Sequence, residues 1–232
     1  MSCKEIDMAA YKRRAHFDYF RSLAYPYAGV TVEVDISRLV PTLKMHSLPF
    51  FLPVLYCAVR AANSVPEFRQ RIHGDSVVEY DYCEGSYTVA LPDESYCYCV
   101  PKTDLPFGEF LDYTREAQRR AVEEPSIEEQ DEADSLLFIS CIPWVSQTAV
   151  VQPVPSPADS NPRITWGKYF ERCGNVYLPV SVLCHRDTSR RNHQRRSSGN
   201  VKRIGTVSAG SHDFQYIHVI QKTDTMISHF LR

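Results

Sequence analysis

The chain has 232 residues, a formal net charge of −2 at pH 7 and 44% hydrophobic residues. That length fits one large domain or two small ones and can bury a substantial core. A net charge near zero gives no general attraction to nucleic acid. The longest apolar stretch, residues 48–59, is shorter than the ~20 residues of a membrane span and contains two prolines. We therefore expect a protein that binds neither nucleic acid nor membrane.

The N-terminal segment and the cysteines indicate a cellular location. The first residues, "MSCKEIDMAAYKRRAHF", lack the apolar region of a secretory signal. The eight cysteines do not form the paired C-x-x-C motifs that are typical of zinc sites, so we expect no metal. Reduced thiols in the cytoplasm are the simplest interpretation.

The first half of the chain shows helical and strand periodicity in turn. A helix is predicted over residues 8–19, and a strand over residues 30–36, where valines alternate. Residues 52–62 then carry apolar side chains at helical spacing. Pro53 suits the first turn of that helix, and Pro66 ends it.

Later segments add further strands and one more helix. "RIHGDSVVEYDYCEGSYTVAL" predicts two strands around a turn at Gly74-Asp75, and "YCYCV" a further strand that stops at Pro101. "FGEFLDYTREAQRRAVEE" has an amphipathic helical pattern, whereas "SLLFISCIPWV" and "NVYLPVSVLCH" are strongly apolar strands. Helices that alternate with a mixed set of strands predict an α/β fold.

Several stretches together resemble the type A chloramphenicol acetyltransferases. They are "KRRAHFDYF", "FFLPVLYCAVRAANSVPEFRQRI", "YTV", "FISCIPWVSQTA", "PRITWGKYF" and "LPVSVLCH", which occur in the family's order over roughly residues 8–185. The resemblance implies a CoA-dependent acyltransferase fold, with a mixed sheet flanked by helices, and a homotrimer with each active site between two subunits. It also implies transfer of acetyl from acetyl-CoA to a hydroxyl of chloramphenicol, a small-molecule acceptor.

The family's catalytic motif, His-His-x-x-x-Asp-Gly, is broken in this chain. In the family the second histidine is the general base, and the aspartate pairs with an arginine of the N-terminal helix, which Arg13 matches here. The first histidine is present as His185, but the base position is Arg186 and no Asp-Gly follows. Arginine stays protonated and cannot act as a base. The alternative is that His185 itself takes over the role.

Other site residues are carried over from the resemblance. Thr165 matches a threonine that holds a water near the transition state. Ala149 stands where the family often has a serine that stabilises the oxyanion, and Gln147 replaces a phenylalanine. Thr148 offers a hydroxyl one residue away, which on a strand would point to the opposite face. Candidates for the acceptor pocket are Thr148 and five aromatic residues that could also be plain core, namely Tyr25, Tyr27, Phe51, Tyr96 and Phe138.

The segment after His185 changes character. Residues 186–203 are arginine-rich without an apolar period. A phosphate-binding arm and an unfamiliar but genuine C-terminus are two interpretations, and a lost reading frame is the third. Arg190-Arg191-Asn192 can be encoded CGA-CGG-AAY, which one nucleotide later reads Asp-Gly.

We therefore predict an acetyltransferase-like domain over residues 1–185 and an out-of-frame, poorly packed tail over residues 186–232. The expected function is that of a chloramphenicol acetyltransferase whose activity is impaired or lost. The alternatives are a non-catalytic trimeric or ligand-binding remnant of that fold and an acyltransferase with another acceptor.

Overall fold

A computed structural model describes residues 1–11, 13–126 and 133–186. The segment predicted to be an aberrant tail therefore lies, after its first residue, outside the described residues. In chain order the elements are β1 (Cys3–Glu5), α1 (Arg14–Phe20), β2 (Tyr27–Asp35), α2 (Leu39–Met45), α3 (Phe51–Asn63), β3 (Gln70–His73), β4 (Ser76–Tyr80), β5 (Gly85–Ala90), β6 (Tyr96–Cys99), α4 (Phe107–Glu123), β7 (Leu137–Ile142), β8 (Arg163–Gly167), β9 (Phe170–Arg172) and β10 (Asn175–His185).

Two sheets organise these strands. The smaller is antiparallel, in the order β1-β4-β3, and the predicted turn at Gly74-Asp75 joins β3 to β4. Gly74 has φ +58°, a left-handed conformation that glycine adopts without a steric penalty. The larger sheet has the order β2-β10-β8-β7-β5-β6, and β9 pairs with the start of β10.

The larger sheet is mixed. Strand β7 runs parallel to both β5 and β8, whereas the other neighbours are antiparallel. The prediction of an α/β fold with a mixed sheet flanked by helices is thereby confirmed.

Helix α3 covers one face of the larger sheet. Its residues are almost all buried, and Phe51 in its first turn packs against Trp166 of β8 and Tyr87 of β5, with ring centroids 5.5 and 5.0 Å apart. The helix approaches β5 most closely at Gly85, where an added Cβ would lie 2.6 Å from Cγ2 of Val59. This contact leaves the opposite face of the sheet free to form a site.

Strand β10 is long and central, although it contains a proline. It pairs with β2 along most of its length, and on its other edge it pairs first with β9, up to Tyr177, and then with β8, from Val180. Pro179 lies in the gap between these two partners. The missing N–H of a proline is tolerated where a ladder is interrupted.

The sequence patterns missed some elements and misplaced the ends of others. Helix α2 was not predicted, and the stretch predicted as two strands around Gly74-Asp75 contains three, β3, β4 and β5. The first helix begins at Arg14 rather than near residue 8. Strands β1 and β9 have three residues each, which is too short to show a period of two in the sequence. All eight cysteines are free thiols. Within the described ranges, no helix combines the length and apolar character needed to cross a membrane.

Candidate active site

The strand registers gather most of the predicted site residues on the sheet face opposite α3. Arg163 of β8 lies directly opposite Leu183 of β10 and Phe138 of β7. Two residues further along these strands, Thr165 lies opposite Ser181 and Ser140. Since every second residue of a strand points to the same side, this face also carries Tyr27, His185, Ser86, Thr88, Tyr96 and Tyr98.

His185 ends β10 in a buried position. Its side chain is 3% exposed, and its ring lies edge-on to that of Tyr27, with centroids 5.7 Å apart. Burial lowers the pKa of His185 to about 4, although the nearby Asp159 carboxylate acts in the opposite direction. His185 is therefore neutral at pH 7, but its affinity for a proton is low.

An ion pair of the buried Arg163 with the partly buried Asp159 adjoins this histidine. Nη1 and Nη2 of Arg163 donate to the two carboxylate oxygens of Asp159 at 2.8 and 2.7 Å. The Tyr27 hydroxyl donates to Oδ1 of the same carboxylate at 2.9 Å. Burial and the neighbouring Asp159 charge raise the pKa of Tyr27, so its hydroxyl stays protonated and remains a donor. Asp159 thus fixes an arginine and a tyrosine beside the end of β10.

The two arginines that sequence analysis singled out meet at the start of the tail. Nη2 of Arg13 donates to the backbone oxygen of Arg186 at 3.1 Å. The N–H of Arg186 donates to the oxygen of Pro26, and its guanidinium lies 4.6 Å from the ring centroid of Phe20 in α1. The residue after His185 is therefore held against α1, with its cationic group stacked on an aromatic ring.

Thr165 is the centre of a polar network. It is 1% exposed, and its hydroxyl accepts a hydrogen bond from the amide of Gln152. Gln147 donates to the Thr165 backbone oxygen at 3.3 Å and to the Ser181 hydroxyl at 3.0 Å. Ser181 in turn shares a 2.7 Å hydrogen bond with Thr31 of β2. Two glutamines thus anchor the loop after β7 to the sheet face that carries the candidate site.

A cavity of about 520 Å³ lies between this sheet face and that loop. Its volume is within the range of small-molecule pockets. Phe138, Ser140, Arg163 and Gln152 line it, together with the segment from Pro153 to Pro155. Gln152 therefore connects the cavity wall to Thr165. Within the described ranges, no three His, Cys, Asp or Glu side chains are grouped to hold a metal ion.

Comparison with known protein families assigns the chain to one of them. The family model described as chloramphenicol acetyltransferase matches residues 1–200. The chain belongs to the chloramphenicol acetyltransferase family. The matched range extends past His185 into the segment that we predict to be aberrant.

Curated chloramphenicol acetyltransferases show the same relationship. The protein from Klebsiella sp is 25% identical over 182 residues, which cover 78% of this chain and 83% of the relative. The protein from Streptomyces acrimycini is 26% identical over 204 residues, covering 86% and 92%. The chain is thus an acetyltransferase homologue related to chloramphenicol acetyltransferase.

Solved structures agree on the fold. A chloramphenicol acetyltransferase matches with a TM-score of 0.72 and 22% identity over the full length of both chains. The dihydrolipoamide acetyltransferase of Azotobacter vinelandii matches with a TM-score of 0.61 and 13% identity, covering 97% of this chain and 93% of the other. The fold is therefore shared with acetyltransferases other than the chloramphenicol acetyltransferases.

The remaining predicted site residues of this chloramphenicol acetyltransferase homologue lie in different surroundings. Tyr25 is 52% exposed, with its ring 5.2 Å from that of Tyr27. Phe51 packs in the core on the α3 side of the sheet. Tyr96 is 49% exposed on the edge strand β6. Thr148 is exposed in the loop after β7, so the expectation based on strand alternation does not apply to it.

The sequence patterns did not predict Asp159, Arg163 or Gln152 as site residues. All three come from the proline-rich stretch around "VVQPVPSPADSNPR", which has no apolar period and suggests a surface loop. The available signal was the spacing of Asp159 and Arg163, an opposite-charge pair four residues apart that leads into the strand "RITWG".

Proposed function

We propose that this chain descends from enzymes that transfer acetyl from acetyl-CoA to a hydroxyl of chloramphenicol, and that its own turnover is impaired. The observation that carries the proposal is the position of Arg186. The residue occupies the family's base position, and its guanidinium is stacked on Phe20.

The reaction needs a proton acceptor. The acceptor hydroxyl loses its proton as its oxygen attacks the thioester carbonyl of acetyl-CoA, so the base must be unprotonated and close to the hydroxyl. A guanidinium group has no site that accepts a further proton, so an arginine such as Arg186 does not serve as this base. His185 is neutral at pH 7, but with a pKa of about 4 it is a weaker base than an ordinary histidine. Neither residue replaces a well-placed histidine of ordinary pKa.

The oxyanion site has changed as well. Ala149 provides no hydroxyl where the family often has a serine. Loss of one oxyanion donor costs about 10²–10³ in rate, and loss of general-base assistance about 10²–10⁴. The two losses affect the same step and need not multiply.

The parts that bind substrate are better preserved. The cavity beside Phe138 and Arg163 is large enough for a small acceptor, and Gln152 of its wall donates a hydrogen bond to the Thr165 hydroxyl behind it. This combination favours a second candidate function, in which the protein binds chloramphenicol-like ligands without acetylating them.

We further propose a cytoplasmic homotrimer with sites completed between subunits. Two exposed apolar side chains in the loop after β7 support a covered surface, since Trp144 is 75% and Val151 is 95% exposed in the single chain. Free thiols suit a reducing compartment that also supplies acetyl-CoA.

A thiol-release assay with acetyl-CoA and chloramphenicol tests the function. We expect turnover about 10²–10⁴ below that of the Klebsiella sp relative, because general-base assistance is missing. Arg186→His should raise turnover by about tenfold or more, since it returns an imidazole to the base position. The matched control is Arg172→His, the same exchange at an exposed arginine of β9, and it should leave the turnover unchanged.

The outcomes separate the alternatives. Wild-type turnover equal to that of the relative would refute impairment, and His185→Ala would then show whether that histidine has become the base. Chloramphenicol binding by both the wild type and Arg186→His without turnover in either would favour the binding protein. Acetylation of another hydroxyl compound, but not of chloramphenicol, would show that the protein is an acyltransferase with a different acceptor.

A further inference from the structure

The wall of the candidate acceptor cavity contains a charged residue with unused hydrogen-bond donors. Arg163 lines the cavity, although only 7% of its surface is exposed. Nη1 donates to Asp159 and, at 3.0 Å, to the backbone oxygen of Asn161, and Nη2 donates to Asp159. Three of the five N–H groups of an arginine are thereby used. The described residues provide no acceptor for the Nε–H and the second Nη2–H, which form one edge of the guanidinium.

The guanidinium plane is fixed. It lies 5.2 Å from the ring centroid of Phe138 and 5.8 Å from that of Tyr27. Two hydrogen bonds to one carboxylate also fix its orientation. A fixed donor edge in a cavity wall can select a ligand by geometry, because little side-chain freedom is lost when the ligand binds.

The charge of the site is already balanced. Asp159 neutralises Arg163, and the Tyr27 hydroxyl provides a further hydrogen bond to the Asp159 carboxylate. A ligand carboxylate at the free edge of Arg163 would place a second negative charge beside Asp159 in a poorly solvated site, which is unfavourable. An uncharged oxygen group, such as a nitro group or a carbonyl, would accept the same hydrogen bonds without that repulsion.

We infer that Arg163 and Asp159 determine acceptor specificity. Arg163 selects an acceptor that presents an uncharged oxygen group to its Nε–Nη2 edge, and Asp159 excludes acceptors with a carboxylate there. The inference rests on the proposed function only in placing the acceptor in this cavity.

Two matched alcohols test this selection without requiring turnover. 4-Nitrobenzyl alcohol and 4-(hydroxymethyl)benzoate have the same shape and differ in the charge of one group. We expect the full chain to bind the nitro compound at least tenfold more tightly, measured as dissociation constants by ligand-observed NMR. Asp159→Asn should shift the ratio of the two constants by about tenfold or more toward the carboxylate, since Arg163 then lacks a counter-charge.

A control variant and a second variant complete the experiment. Glu33→Gln breaks the exposed ion pair with Arg172 by the same chemical change and should leave the ratio unaltered. Thermal unfolding checks that Asp159→Asn is folded. If it is not, the double variant Arg163→Gln with Asp159→Asn removes both charges, and it should bind the two alcohols with similar affinity.

Failure of this inference differs from failure of the proposed function. An unchanged ratio in Asp159→Asn, or in the double variant where that is used, would overturn the role of the ion pair. That result would leave the proposed function untouched, because the proposed function is tested separately by chloramphenicol acetylation in Arg186→His. If both alcohols behave as expected while chloramphenicol does not bind, the specificity stands and the proposed acceptor is wrong.

Discussion

His185 makes the stability of the folded chain depend on pH. Burial lowers its pKa to about 4 in the folded state, whereas an unfolded chain has a histidine pKa of about 6.5. Between these values the unfolded state binds more protons, so the free energy of unfolding falls as pH decreases from about 6.5 to 4. The contribution of His185 is present at neutral pH and is lost on acidification.

The expected loss between pH 7 and 4.5 is about 2–3 kcal/mol from this residue alone. Urea unfolding of the wild type and of His185→Gln at both pH values measures it, because glutamine does not titrate. Carboxylates contribute equally to both proteins, so the difference between the two pH dependences isolates His185. Parallel pH dependences would show that the imidazole is solvated in the folded protein.

At the scale of single residues, the sequence predicted some of the site and missed its charged part. Tyr27, Phe138, Thr165 and His185 lie on strands with clear patterns, and the structure places all four on one sheet face. Arg163 begins a strand directly after a proline-rich loop, and no local rule shows that its side chain becomes buried. Its burial depends on Asp159, which strand periodicity cannot position.

At the scale of elements, the contact between α3 and β5 is sensitive to a single methyl group. Gly85→Ala would bring a Cβ to 2.6 Å from Val59 and 3.2 Å from Ile139, both buried. Overpacking of this kind costs about 1–3 kcal/mol. We expect a corresponding decrease in the free energy of unfolding, measured with urea.

Gly108→Ala in α4 is the matched control. Among the described residues, and apart from its chain neighbours and the backbone of its own helix, no atom lies within 4 Å of the added Cβ. Alanine is also favoured over glycine in helices by up to about 1 kcal/mol. The same exchange should therefore stabilise the chain slightly at Gly108 and destabilise it at Gly85. A similar effect at both positions would mean that α3 moves away from β5 without cost.

Strand and helix periodicity predicted most elements but not their arrangement. The alternating valines of β2 predict a strand, and the apolar spacing of α3 predicts a helix, which is almost entirely buried in the structure. Neither pattern says that β10 lies between β2 and β8, because pairing is decided by contacts between residues far apart in the chain. The family resemblance predicted a mixed sheet flanked by helices, which periodicity alone does not predict, but it did not predict the strand order.

At the scale of the whole molecule, the family match and the family's characteristic sequence pattern end at different residues. The family match reaches residue 200, whereas the sequence pattern that is typical of the family stops at His185. The structure describes only Arg186 beyond that residue. Its backbone is bound at both its N–H and its oxygen, by Pro26 and Arg13, so the described chain remains anchored up to this point.

Hydrogen exchange of the full chain decides between a lost reading frame and a genuine C-terminus. Residues 190–207 carry many like charges and no sustained apolar period, so they cannot bury enough surface to offset the entropy of ordering. We therefore expect their amides to exchange as fast as those of an unstructured peptide, while β10 exchanges slowly. Strand β10 is the internal reference, since its hydrogen bonds to β2 and β8 should break only when the whole sheet unfolds. Slow exchange across residues 190–207 would show that the segment packs on the domain, and the arginine-rich sequence would then be a genuine part of the fold.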